Sequence, residues 1–226
     1  METATRRERL RAQTREEAKA AALRQIAAAG PQSLSLNAIG KELGMSGPAL
    51  YRYFAGRDDL LTELISDGYN DLANAVEAAG AAAAGAEPAD RIRALTRAFR
   101  EWALAQPHRY LLLFGTPVPG YEAPAHTTQA ATRTLGAFLE PIAALHPGSR
   151  AAVLEGQFEA GLADRDPDHP WSGPVLRLGV TGWTRMHGVV SLEVEGHFTQ
   201  MGFDPGLLFE AEVESLIAEA TGSEAG

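Results

Sequence analysis

Ser35-Leu36-Asn37-Ala38-Ile39-Gly40-Lys41-Glu42-Leu43-Gly44-Met45-Ser46-Gly47-Pro48-Ala49-Leu50-Tyr51-Arg52-Tyr53-Phe54 is the stretch on which the fold turns. Leu36, Ile39, Gly40 and Leu43 follow the i, i+3, i+4, i+7 rule, so they share one face of a short helix. Ser35 stands where a side-chain oxygen can accept from the free N–H groups of that helix. Gly44 follows the last apolar residue, where a left-handed position favours glycine. Ser46 is placed to cap a second helix, with Pro48 in its first turn, where a missing N–H costs little. Only Gly44 and Met45 then separate the two helices. So tight a turn forces a large crossing angle, the geometry of a DNA-reading helix hairpin. Leu50 and Phe54, four apart, would face the core and leave Gly47, Pro48, Ala49, Tyr51, Arg52 and Tyr53 for a groove or a backbone. Helix hairpins also serve as plain packing units, so this stretch alone leaves both uses open.

Outward from the hairpin the helical period persists. Leu61, Leu64, Ile65, Gly68, Leu72, Ala75 and Val76 carry it along a longer helix. Before the hairpin, an alanine-rich segment from Glu17 to Ala29 sets Leu23, Ile26 and Ala27 on one face until Gly30-Pro31 stops it. Turn-rich breaks at 85–88, 115–120 and 164–170 bound further predicted helices at about 89–105, 108–114, 125–145, 149–162, 174–196 and 205–220. No convincing alternation runs over five residues or more, so no sheet is predicted. The expected fold class is all-α. A three-helix helix-turn-helix domain, residues 1–62, would lead into a larger helical bundle, residues 63–226, serving effector binding and dimerisation.

Net charge over the 226 residues is −9, which at first sight opposes nucleic acid. The distribution reverses that impression: residues 1–61 carry 10 Lys/Arg against 7 Asp/Glu, and residues 62–226 carry 10 against 22. A basic head on an acidic body suggests that the head alone meets phosphates. Arg6, Arg7, Arg9, Arg11 and Arg15 form a cluster expected to act as a flexible arm that adds salt-dependent affinity without sequence information. Arg57 begins the long helix at its positive end, where a cation is mildly disfavoured. An external phosphate at that terminus would explain it; a solvated pair with Asp58 is the alternative.

The run Ile39-Gly40, Leu43-Gly44-Met45-Ser46 and Leu50-Tyr51-Arg52-Tyr53-Phe54-Ala55-Gly56-Arg57-Asp58-Asp59-Leu60-Leu61 resembles the tetracycline-repressor (TetR) family over about residues 15–65. Gly182-Trp183-Thr184-Arg185-Met186-His187-Gly188 and Ser191-Leu192-Glu193 are similar to a WHG-type C-terminal domain found in some of these regulators. The resemblance implies DNA-binding helices at one end and a larger domain that dimerises and holds an effector. It implies phosphate contacts from Ser35 and Tyr51, a base-reading position at Asn37, Gly47, Pro48 and Ala49 heading the recognition helix after Ser46, and backbone contacts from Tyr53 and Arg57. Gly47 and Ala49 carry no hydrogen-bonding side chains. Base reading there would lean on thymine methyls, on Arg52 or on DNA shape.

Every aromatic residue outside 51–54 except Tyr69 lies beyond residue 98. Most should be core, but helix bundles also place ligand sites between facing helices. An apolar effector pocket is expected among Phe99, Trp102, Phe114, Phe138 and Trp183, with Tyr110 and His187 as polar handles. Its ligand would be a small lipophilic molecule, neutral or cationic. Two copies are expected to pair through 174–196 and 205–220, with Val175, Leu178, Val189, Leu192, Leu207, Leu208, Val213, Leu216 and Ile217 supplying the surface. The operator would then be an inverted repeat in double-stranded DNA.

Other classes are disfavoured. The sequence has no cysteine, which removes disulfides, thiolate metal sites and a cysteine nucleophile. Asp164, Asp166, Asp168 and His169 crowd one loop but lack the spaced ligands and central glycine of a calcium loop. No nucleophile elbow or phosphate-binding glycine loop is present. No catalytic residue, metal or cofactor is therefore expected. There is no apolar run long enough to span a membrane and no secretory leader, so no membrane partner and a cytoplasmic location are expected. The reading is a repressor released from its operator by an effector. The competing readings are a ligand-independent or activating DNA-binding regulator and, further off, an enzyme on a helical bundle.

Overall fold

The computed structural model describes residues 5–124, 127, 129–164 and 166–222. Among them ten α-helices follow one another: α1 (Arg6–Ala29), α2 (Leu36–Glu42), α3 (Gly47–Leu50), α4 (Arg57–Ala82), α5 (Pro88–Ala105), α6 (Pro107–Phe114), α7 (Gln129–Ala144), α8 (Ala152–Ala163), α9 (Gly173–Val194) and α10 (Pro205–Thr221). No strand occurs among the described residues, so the all-helical expectation holds. Each predicted helix is present and most are displaced by a few residues at most, but α1 begins eleven residues before the expected Glu17 and α3 ends at Leu50, short of the expected Phe54. None of the described helices is long and apolar enough to cross a membrane.

One expectation at the N-terminus fails. The basic arm is not an arm from Arg6 onward: it is the first half of α1, which starts at a capping box in which Thr5 and Glu8 satisfy each other's free N–H groups. Arg6, Arg7, Arg9, Arg11 and Arg15 are thus helical residues.

The chain divides into two compact units. The first comprises residues 1–69 and 107–129, the second 70–106 and 130–226. Residue 62 is therefore not where the units part, and α4 runs through that position without a break. The reason for the return of 107–129 is apolar. Val118 is buried in the core formed by Ala18, Ala22, Ile26, Leu36, Ile39, Leu50, Phe54, Leu60 and Leu61, and Leu112 and Tyr121 pack against that core. Burying such side chains is worth about 1.5–3 kcal/mol each, enough to hold a sequence-distant segment in place.

The second unit is organised around α9, which packs against α5, α8 and α10. Helix α9 tolerates close neighbours because it carries glycine at the crossings. A Cβ at Gly182 would stand 2.7 Å from Leu216 of α10, and one at Gly179 would collide with Leu139 of α7. Val175, Leu178, Val189, Val213, Leu216 and Ile217 are buried within this unit. The expectation that they form an intersubunit surface is corrected accordingly: they are the monomer's own core. Of the nine residues expected there, the large exposed ones are Leu192 and Leu207.

Candidate nucleic-acid interface and effector site

The hairpin forms as its residues demand. Ser35 accepts from the Ala38 N–H at 3.4 Å and caps α2. Gly44 takes φ of +67°, and the Met45 N–H closes the turn on the Gly40 carbonyl at 2.8 Å. Leu50 and Phe54 are both buried, as their spacing requires. Ser46 departs from expectation: its backbone is extended ahead of α3, but its side chain makes no capping hydrogen bond. Pro48 already occupies the first turn of α3, so fewer N–H groups there await an acceptor.

Helix α3 is short. Regular geometry ends at Leu50, and Tyr51, Arg52 and Tyr53 form turns, with the Tyr53 and Phe54 N–H groups both donating to the Leu50 carbonyl. Pro48 and Ala49 precede this turn; Pro48 is exposed and Ala49 half-buried. Asn37, Ser46, Tyr51 and Arg52 are exposed, Tyr51 at 50%, while Ser35 and Tyr53 are half-buried. Gly47 opens α3. The residues singled out from the sequence thus lie on α2, on α3 and on the turn that follows it. Bonds to the backbone hold that turn from the rear: Arg11 donates to the Arg52 carbonyl at 3.4 Å, and Arg15 donates to the Tyr53 carbonyl.

Arg57 has internal partners. Its guanidinium donates to the Pro31 carbonyl at 3.1 Å and stands 3.4 Å from an Asp58 carboxylate oxygen. The Ala55 N–H donates to Asp59 at 2.8 Å, so an acid already answers the positive end of α4. An external anion is not needed to account for Arg57, and the pairing with Asp58 is present.

The seven residues expected around an effector divide between the units. Tyr110 and Phe114 belong to the first, where their rings tilt together at 5.2 Å and Phe114 meets Tyr69 edge-on at 5.9 Å. Phe99, Trp102, Phe138, Trp183 and His187 belong to the second. There His187 is flanked by Phe99 and Trp183, with ring centroids 5.0 Å and 4.7 Å away. Burial pushes the His187 imidazole down to about 4, so it is neutral near pH 7. The Trp102 indole N–H donates to Asp71 at 3.0 Å. Phe99 and Trp102 are buried and Phe138 is half-buried, whereas Trp183 is 54% exposed. Trp183 is therefore a surface side chain of the monomer rather than a wall of an enclosed pocket.

A groove of about 440 Å³ opens elsewhere in the second unit, along α5 and α10. Phe209 and Val213 give it an apolar wall, and Arg93, Arg97 and Arg100 line it. Arg93 is held by Glu214 and Arg100 by Glu193, each through two hydrogen bonds. Sequence periodicity did not single out this groove. The Arg93–Glu214 pair joins positions 121 residues apart, which leaves no local pattern to read.

Comparison with known proteins bears on both units. Residues 20–64 match the family described as bacterial regulatory proteins, tetR family. Residues 92–216 match the tetracyclin repressor-like C-terminal domain. The HTH-type transcriptional regulator Rv1816 of Mycobacterium tuberculosis (strain ATCC 25618 / H37Rv) is 37% identical over 212 residues, covering 86% of this chain and 87% of its own. Among solved structures, the regulatory protein SCO4313 is 48% identical with a TM-score of 0.81, covering 94% of this chain and 98% of its own. A bacterial regulatory protein in the tetR family from Rhodococcus RHA1 shares the fold at 18% identity, with a TM-score of 0.63, and covers 94% of this chain and 98% of its own.

Proposed function

The chain belongs to the tetR family of bacterial regulatory proteins and is a transcriptional regulator with a DNA-binding helix-turn-helix; from that premise we propose that it is a repressor that leaves its operator when a small lipophilic molecule binds. The observation that carries this reading is the hairpin itself, which buries Leu50 and Phe54 and leaves Asn37, Tyr51 and Arg52 exposed. Ser35, Tyr51, Tyr53 and Arg57 are assigned to the DNA backbone, and Asn37 and Arg52 to base edges. Ser46, Gly47, Pro48 and Ala49 are assigned to close approach at the groove.

Two copies bind together, which makes the operator an inverted repeat. Support for pairing comes from apolar side chains left uncovered on the second unit: Val153 at 82% exposure and Leu154 on α8, Val180, Trp183 and Leu192 on α9, and Leu207 on α10. The effector acts on the second unit, where Phe99, Trp102, Phe138 and His187 offer apolar surface and the groove along α5 and α10 offers volume. An effector releases DNA only by favouring the DNA-incompetent arrangement.

The test is a mobility-shift titration with the duplex upstream of the protein's own gene, repeated against a panel of lipophilic small molecules. Retarded DNA that a panel member frees in a saturable way is the expected result. Retardation that no panel member reverses would favour the ligand-independent reading.

A further inference from the structure

We propose that Arg15, on α1, is the positioning residue of the recognition element: its guanidinium ties the carbonyl end of the α3 turn to α4 and so sets the angle at which Tyr51 and Arg52 are offered. The inference rests on the DNA-binding reading and deepens it.

A helix leaves its last carbonyls without intrahelical donors, and α3 is only four residues long. Its end is not closed by a glycine, since Tyr51, Arg52 and Tyr53 follow. The Ala49 and Leu50 carbonyls accept from the Arg52, Tyr53 and Phe54 N–H groups, and the carbonyls of the turn beyond accept from α1, from residues one turn apart: Arg11 donates to Arg52 and Arg15 to Tyr53. Cations at the carbonyl end also suit the helix dipole. Arg15 does more than cap. Its second terminal nitrogen pairs with the Glu63 carboxylate on α4, and its guanidinium carbon stands 4.7 Å from the centre of the Phe54 ring. Both charged side chains are largely withdrawn from water, at 30% and 25% exposure.

One planar cation therefore meets three elements at once: α1 that carries it, the recognition turn and α4. A guanidinium can serve a carbonyl, a carboxylate and a ring face in one geometry; an ammonium cannot. A basic residue at the reading end is ordinarily assigned to phosphate. Here the donors face inward and an aromatic ring covers one face, so Arg15 acts through Tyr53 and Phe54.

The two roles predict opposite signs for Glu63→Gln. Removing an acid near the DNA should strengthen binding on electrostatic grounds alone. Loss of the tie should instead weaken it, and only where orientation matters. The full-length parent, Glu63→Gln and Arg15→Lys are titrated with the upstream duplex and with a random-sequence duplex over a salt series. Both variants should lose about tenfold in affinity for the upstream duplex. Arg15→Lys should keep the parent's affinity for the random duplex and Glu63→Gln should match or exceed it, and amide exchange should quicken at residues 51–54 while α4 stays protected. Arg15→Lys supplies the same comparison should Glu63→Gln fold poorly. Tighter binding of Glu63→Gln to the upstream duplex, or parent-like discrimination by both variants, overturns the proposal. A parent protein that does not distinguish the two duplexes overturns the DNA-binding reading, and the proposal with it.

Discussion

Arg177 Nε donates to Glu155 Oε1 at 3.0 Å and joins α9 to α8, with both side chains almost sealed from water. Glu155 also accepts from the Ser149 hydroxyl and from the Arg150 and Ala151 N–H groups. These donors, the Ser149 hydroxyl foremost, outweigh burial and hold its carboxyl down at about 2. Arg177 passes the chain on to Glu219 of α10, and Arg185 joins there at 3.2 Å. Three helices are thus locked by charge where the sequence shows only scattered ionisable residues.

Acid stability follows from that lock. The folded value for Glu155 lies below its ordinary 4.5, so the stabilisation is full above about 4.5 and is lost as pH falls toward 2. Urea midpoints measured down this range should fall in the parent and fall less in Glu155→Gln, which starts lower at neutral pH. Arg177→Met alone should lower Tm by several degrees, and the double variant should recover most of it, because a lone buried charge is worse than none. A single substitution as mild as the double one would contradict this.

His187 adds a second pH dependence in a different window. Its folded value of about 4 lies below the ordinary 6.5, so the unfolded chain takes up the proton first. Stability is complete above about 6.5 and declines as pH falls toward 4, by roughly 2–3 kcal/mol across the window. His187→Leu should remove that part of the slope. Unfolding free energies for parent and variant at intervals between those limits provide the comparison, and parallel curves would refute the assignment.

The proposed DNA contacts divide by kind. Tyr51→Phe should weaken binding to every sequence alike, and Arg52→Ala should relax preference as well as affinity. Asn37→Ala should relax preference at one or two operator positions, by about 1–3 kcal/mol if a bidentate base contact is lost. Binding to a library of operator variants separates the two patterns. For Arg57→Ala, lost affinity should come with a lower Tm, because the Pro31 and Asp58 contacts go with it.

Pairing of two copies is checked by sedimentation. The parent should run as a dimer at micromolar concentration. Val153→Glu combined with Leu207→Glu should run as a monomer that keeps its helical content, since both side chains are already exposed in the single chain. The same variant should lose the upstream duplex. A parent that sediments as a monomer would remove the basis for an inverted-repeat operator.

Much of the fold was legible because it is written locally. A period of 3.6, a serine before α2 and a glycine after it depend on residues within a few positions of one another, and they placed the helices from α4 onward to within a few residues; the polar first half of α1 shows no apolar period and was missed. The hairpin was legible for the same reason, down to Leu50 and Phe54 as its buried pair. What a local pattern cannot carry is which apolar face meets which neighbour. Val189 and Leu192 sit on one helix and look alike in sequence, yet the first is core and the second exposed. The same limit applies to cations: as sequence, Arg11 and Arg15 form a basic run suited to a loose arm. Only the packing of α1 beside α3 and α4 turns them toward the Arg52 and Tyr53 carbonyls and toward Glu63. The sequence by itself determined the helices, their order and the hairpin, since hydrogen bonds and caps act between near neighbours. The tertiary structure alone decided the core, the return of 107–129 to the first unit and the tie between Arg15 and Glu63, since these join residues that chain distance separates and only burial brings together.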